Sequence, residues 1–172
     1  MIKFDLNNRV AIITGGAQGF GLATARRLAE EGAAVALVDI KVDKVNAAAA
    51  SLVSEGLNAI AVKADVSDEN ATIRMLDEAE QVFGELNFIH QNAAIQVEKL
   101  LHETTLDEWD RLMAVNLRSM FLGAKHILLE RWSPTPNIRS FFVQKRFGNS
   151  RRQHQLLCYF SNSIVDSSSC SA

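Results

Sequence analysis

"RVAIITGGAQGFGLATARRLAEEGAAVALVD", residues 9 to 39, is the stretch that decides how this chain folds. Residues 9 to 14 are a short β-branched run, glycines follow at once, and "ATARRLAEEG" then carries apolar residues at helical spacing up to a terminating Gly32. A second apolar run, "AVALVD" at 34 to 39, closes the unit. Strand, glycine loop, helix and strand in that order build a parallel βαβ unit.

The same rhythm continues outward. "KVNAAAASLVSEG" predicts a second helix ending at Gly56, and "NAIAVKAD", 58 to 65, a third strand. Ser67 is positioned to cap a third helix through "NATIRMLDEAEQVFG", and "LNFIHQ", 86 to 91, predicts a fourth strand. The strands are apolar through most of their length, which argues a parallel sheet covered on both faces. From Thr105, "TLDEWDRLMAVNLRSMFLGAKHILLE" repeats large apolar residues every three or four positions, among them Trp109, Leu112, Met113, Leu117, Phe121 and Ile127. That spacing predicts one long, strongly buried helix.

Composition sets the outer limits. The 172 residues, 48% hydrophobic and 22% charged, fit one globular domain. A net charge of -2 gives no electrostatic footprint for nucleic acid, so none is expected as a partner. Asp5 and Asn7 interrupt any leader-like apolar stretch, and no apolar run approaches the ~18 residues of a membrane span. A cytoplasmic protein without a membrane partner is expected. Cys158 and Cys170 have no paired spacing, and His90, His102, His126 and His154 have no ligand spacing among them, so no metal is expected either.

The chemistry is concentrated in a few segments. "TGGAQGFG", residues 14 to 21, lies between the first strand and the first helix, the context a phosphate-cradling loop requires. Gly15 permits a tight turn, Gly19 lets backbone approach a pyrophosphate, and Gly21 lets the helix pack close to the sheet. Unpaired N–H groups at the helix start would add a positive dipole end. Asp39 ends the second strand eighteen positions after Gly21. A carboxylate there accepts hydrogen bonds from both hydroxyls of an adenosine ribose and repels a 2′-phosphate, which favours NAD over NADP. Asn116 falls on the apolar stripe of the long helix, where an amide without partners is costly to bury.

On these residues the chain resembles the classical short-chain dehydrogenase/reductase family. Thr14-Gly-x-x-x-Gly19-x-Gly21 has that family's spacing, and Asp65-Val66 stands where the family contacts the adenine ring. "QNAA", 91 to 94, is similar to the family's Asn-Asn-Ala-Gly, with Asn92 the matched residue and Gln91 and Ala94 departing from it. "VNL", 115 to 117, matches the segment that supplies the family's catalytic asparagine, here Asn116. The resemblance implies a Rossmann-type doubly wound parallel sheet of strand order 3-2-1-4. It further implies a nicotinamide cofactor held by Gly15, Gln18, Gly19, Phe20, Gly21, Asp39, Ile40, Asp65, Val66 and Asn92. Hydride transfer between NAD(H) and a small alcohol or ketone would be the reaction, and self-association through the long helix is expected if the chain folds.

The resemblance spans residues 5 to about 131 and then stops. Residues 132 to 172 hold both prolines, both cysteines and nine of the thirteen serines, but one of the twenty acidic residues, Asp166. Beyond a short strand at "FFVQKRF" no sustained period survives there. The family's catalytic serine and its Tyr-x-x-x-Lys have no match: the sole tyrosine, Tyr159, is followed four positions later by Ser163, and no lysine follows Lys145. Reading "RQHQL", 152 to 156, one base later permits Val-Asn-Thr-Ser-Ser or Val-Asn-Ile-Ser-Ser, the kind of run that ends the family's fifth strand. An in-frame rival is "SIVDSSS", 163 to 169. The expectation is therefore a truncated NAD-binding domain over 1–131 and an irregular, frameshifted tail over 132–172. The fourth strand would be an uncovered sheet edge, and the chain inactive and marginally stable. A non-catalytic dinucleotide-binding module and a non-functional product are the alternatives.

Overall fold

In the computed structural model, which describes residues 5–130, 140–147 and 154–161, the opening unit folds as β1 (Val10–Thr14), α1 (Gly19–Glu30) and β2 (Ala34–Asp39). The alternation continues as α2 (Val42–Ser54), β3 (Ala59–Lys63), α3 (Glu69–Phe83) and β4 (Phe88–Gln91). The strand order β3-β2-β1-β4 is parallel throughout, with Ile12 opposite Ala36 on one side and Ile89 on the other. Because the chain winds outward from β1 through β2 to β3 and then crosses back to β4, the sheet reverses its winding between β1 and β4. A crevice at the carboxyl ends of these strands is the consequence.

Alternating side chains divide the core into two faces. Ala11, Ile13, Val35 and Leu37 pack against Ala25, Ala29, Val45 and Leu52 of α1 and α2. Val10, Ile12, Val38 and Val62 pack on the opposite face, against Met75, Leu76 and Ala79 of α3 and Ile127 further along the chain. Burial on both faces accounts for the near-continuous apolar strands.

Four expectations change on contact with the structure. Asp68, and not Ser67, caps α3: its side chain accepts from the Ala71 N–H at 2.6 Å. Ser67 is occupied elsewhere, both its N–H and its hydroxyl donating to Asp65 Oδ1 at 2.9 and 2.7 Å. The long helix is α4 (Leu106–Met113) joined through a π-helical segment, Ala114–Arg118, to α5 (Ser119–Glu130). The wider π turn shifts the phase of the apolar stripe, so Val115, Asn116, Ser119, Leu122 and Ile127 are buried while Trp109, Leu117 and Phe121 face outward. The helix is half-buried where strong burial was expected.

The other two differences lie beyond α5. The short strand expected at 141–147 forms as β5 (Ser140–Phe147), and within the stretch expected to be irregular a second strand, β6 (His154–Ser161), pairs with it antiparallel. β5 also pairs in parallel with β4, His90 opposite Phe142, so β4 is an interior strand and not an edge. The backbone groups that β4 would have left unpaired draw the next extended segment to it, whatever that segment's local period. Domain residues 131–139 of the expected boundary lie outside the described residues.

His90 of β4 is a buried polar group in an apolar setting. Both its ring nitrogens lack a hydrogen-bond partner, and its ring stands edge-on to Phe20 with centroids 6.1 Å apart. Burial holds its pKa below the usual imidazole value. As pH falls, the unfolded chain takes up this proton before the folded chain does, so the associated stability is complete above about pH 6.5 and drains as pH drops toward the folded pKa. Thermal melts at pH 7.5 and 5.5 should show the native chain losing more stability than His90→Leu over that interval. Equal losses would show that His90 is solvated or paired.

Candidate functional site

Each wall of the crevice is fixed by a local sequence choice. The loop after β1 folds over itself, with Gly15 at φ 66° and Gly19 at φ 58°, left-handed conformations that disfavour a side chain. Gly16 N–H donates to the Val38 carbonyl at 3.0 Å and ties the loop to β2. A Cβ on Gly21 would overlap the Gly15 carbonyl oxygen and lie 2.7 Å from Asn92 Nδ2, whereas nothing lies within 4 Å of one built on Gly19. Gly21 is thus buried in the packing of helix on loop, and Gly19 leaves open backbone.

Asn92 locks the opposite side. Its Nδ2 donates to the carbonyls of Thr14 and Gly15, both at 3.2 Å, and the next N–H, of Ala93, donates to Thr14 Oγ1 at 3.1 Å. The end of β1 and the segment after β4 are held together by side chains, which keeps the crevice open at its base. At the start of α1 the flanking Gln18 gives no side-chain cap; its Oε1 accepts from Lys44 Nζ at 3.1 Å instead. No acidic residue stands in the first turn. The first-turn N–H groups and the positive dipole end therefore remain available to an anion.

A cleft of about 510 Å³ opens over these elements. Of the residues singled out in the sequence, Gly15, Gln18, Gly19, Phe20, Asp39, Ile40, Asp65, Val66 and Asn92 line it, and Gly21 supports it from beneath. Asp39 turns one carboxylate oxygen to the Lys41 N–H at 3.0 Å. Asp65 is held below the usual carboxylate range chiefly by the Ser67 hydroxyl, with the Ser67 N–H and the charges of Arg111 and Arg118 adding to it. It is ionised at neutral pH.

Asn116 is buried beside the cleft but does not line it. Its Oδ1 accepts from the Ile95 N–H and its Nδ2 donates to the Ile95 carbonyl, each at 2.9 Å. The amide that the apolar stripe left in need of partners finds both on one residue of the 92–96 segment, which itself lines the cleft. Asn116→Leu strips two backbone groups of their partners and should destabilise the chain by about 2–3 kcal/mol, read from urea unfolding. A loss under about 0.5 kcal/mol would mean that Ile95 is satisfied without Asn116.

Three contributors escaped the sequence reading. Thr14 acts through its side-chain oxygen, Gln91 donates from its amide to the Met120 carbonyl at 3.2 Å and so fixes α5 on β4, and Arg111 reaches the cleft from α4. Gln91 packs where Gly123 leaves room, since a Cβ there would lie 2.7 Å from Gln91 Nε2. The spacing of Gly123 against a bulky Gln91 was a signal only in three dimensions.

The cradle suits a dinucleotide: glycine backbone and a free helix start for phosphates, a carboxylate at the end of the second strand for a ribose, and the apolar side chains of Ile40 and Val66 in the lining for a base. Among the described residues no cluster of acidic, histidine or cysteine side chains is fit to hold a metal. A family model described as short chain dehydrogenase matches residues 9–132. The chain is 39% identical over 121 residues to the NADP-dependent (R)-specific alcohol dehydrogenase of Lentilactobacillus kefiri, covering 70% of this chain and 47% of that one. It is 40% identical over 121 residues to cis-4-hydroxycyclohexanecarboxylate dehydrogenase of Sinomonas cyclohexanicum, covering 70% and 48%. A solved structure of a short chain dehydrogenase/reductase from Burkholderia phymatum in complex with NAD is similar with a TM-score of 0.70 and 27% identity, over 73% of this chain and 44% of that one. The chain spans about half the length of the curated relatives it matches.

Proposed function

The chain belongs to the short-chain dehydrogenase family, and on that footing we propose that its 9–132 core binds NAD(H) in preference to NADP(H). The observation that carries this reading is the meeting of Gly15, Gly19, Asp39, Asp65 and Asn92, drawn from four separate segments, around one cleft. The glycine loop and the start of α1 hold the pyrophosphate, Asp39 accepts from the adenosine ribose, and Val66 with Ile40 flanks the base. A bound nicotinamide would supply the hydride acceptor or donor, and a small alcohol or ketone would be the other reactant in a complete relative.

Turnover is a separate matter. The 172 residues contain no Tyr-x-x-x-Lys, and Asn116 spends its side chain on Ile95, so no group here is assigned to move the substrate proton. We read the chain by itself as a binding module without catalysis, set in the cytoplasm. No helix among the described residues is long and apolar enough to cross a membrane. The outward Leu106 and Trp109 of α4, Leu117 of the π-helical segment and Phe121 of α5 support self-association, which sedimentation would report. For residues 132–172 the frameshift reading stands as our proposal. Sequencing the gene from about codon 120 in all three frames would reveal whether a shifted frame runs on to Tyr-x-x-x-Lys.

The direct test is titration of the 172-residue chain with NADH and NADPH, followed by nicotinamide fluorescence. Saturable NADH binding at least tenfold tighter than NADPH is expected from the Asp39 carboxylate. Equal or reversed affinities would shift the reading to NADP, a possibility that Lys41 beside Asp39 keeps specific. Binding of neither would overturn it.

A further inference from the structure

We propose that Arg111, which belongs to none of the motifs above, is a positioning residue for the adenine base, laying its guanidinium plane along one face of the ring. The inference rests on the dinucleotide reading of the cleft and deepens it. Arg111 stands in the last turn of α4, one helical turn before Val115, and both line the cleft together with Asp65, Val66 and Ile40. Its side chain is exposed and makes no hydrogen bond or ion pair with any described residue. Its neighbour in charge, Arg118, is by contrast committed, donating from Nη2 to the Ser67 carbonyl at 3.2 Å.

The electrostatic setting favours a neutral aromatic guest. Asp65 senses the charge of Arg111, yet its Oδ1 is already held by the Ser67 N–H and hydroxyl, and no ion pair joins the two side chains. A carboxylate, an exposed guanidinium and the apolar side chains of Ile40, Val66 and Val115 on one lining suit a flat heteroaromatic ring, with apolar contact and a stacked cation both on offer. A lysine in the same place would bring the charge without the plane. Since the side chain is exposed, substituting it costs the fold little.

The experiment compares the native chain, Arg111→Ala and Arg111→Lys as ligands bind, with far-ultraviolet circular dichroism confirming the same fold in all three. ADP-ribose contains the adenine half and nicotinamide mononucleotide does not. The expected result is about a tenfold loss of affinity for NADH and for ADP-ribose in Arg111→Ala, no change for nicotinamide mononucleotide, and incomplete recovery in Arg111→Lys. Unchanged ADP-ribose binding in Arg111→Ala overturns the inference while leaving the cofactor reading intact. An equal loss for nicotinamide mononucleotide also overturns it, since the effect would then be general. Should the native chain bind neither NADH nor ADP-ribose, the cofactor reading fails first and this one with it.

Discussion

Replacing Gly21 by alanine should weaken dinucleotide binding roughly a hundredfold while leaving the sheet folded. The added Cβ has nowhere to go: it would overlap the Gly15 carbonyl and press on Asn92 Nδ2 at 2.7 Å, the two groups that fasten the loop to the segment after β4. The Gly15 backbone cannot yield as a flexible side chain would, and the Asn92 amide is tied to the carbonyls of Thr14 and Gly15. Relief requires α1 to slide away from the loop, which carries the first-turn N–H groups off the phosphate position. Overpacking of this kind costs about 3 kcal/mol, and if it falls on the bound geometry NADH affinity drops roughly a hundredfold. Circular dichroism would show α1 and the sheet retained. Affinity within a factor of three of the native chain would mean that the loop does not hold the phosphates.

Asp39→Ala carries the second large effect, and its sign differs between two cofactors. On the proposed reading, removing the carboxylate removes two charge-assisted hydrogen bonds to the ribose hydroxyls, a loss of about 2 kcal/mol, so NADH binding should weaken roughly thirtyfold. For NADPH the same change removes a repulsion against the 2′-phosphate, and affinity should hold or improve. The Lys41 N–H also loses its acceptor, but that disturbs both cofactors alike and cancels in the ratio. Paired titrations of the variant would therefore see the preference collapse. A parallel loss for both cofactors would assign Asp39 a role in the turn alone.

Much of the site was legible because glycine and carboxylate positions carry their reasons locally. A glycine before a helix and an acid at a strand end have few competing explanations once the βαβ rhythm is established, and Gly15, Gly19 and Asp39 all reach one cleft. Asn116 was legible as a problem, an amide on an apolar stripe, but its solution was not, because Ile95 lies in a segment without periodicity. The cap of α3 was misread for a related reason: Ser67 and Asp68 are equally good caps in sequence, and only the position of Asp65 decides which is left free.

The outer elements were harder. Trp109, Leu117 and Phe121 share the three-and-four spacing of buried residues, and nothing local announces the π turn that rotates them outward. The strand at 141–147 was legible, but its pairing with β4, and that of β6 with it, are non-local and a period count along the chain does not register them. Arg111 was invisible as a cleft residue because it reaches the site from a different helix turn than the matched Asn116.

The most direct test of the central claim is an experimental structure of the 172-residue chain with NADH. The account predicts the pyrophosphate against the backbone of Gly15 to Gly21 at the start of α1, the adenosine ribose within hydrogen-bond distance of Asp39, and the base between Ile40 and Val66. A dinucleotide seated elsewhere, or a cleft closed by another part of the chain with the ligand excluded, would contradict it.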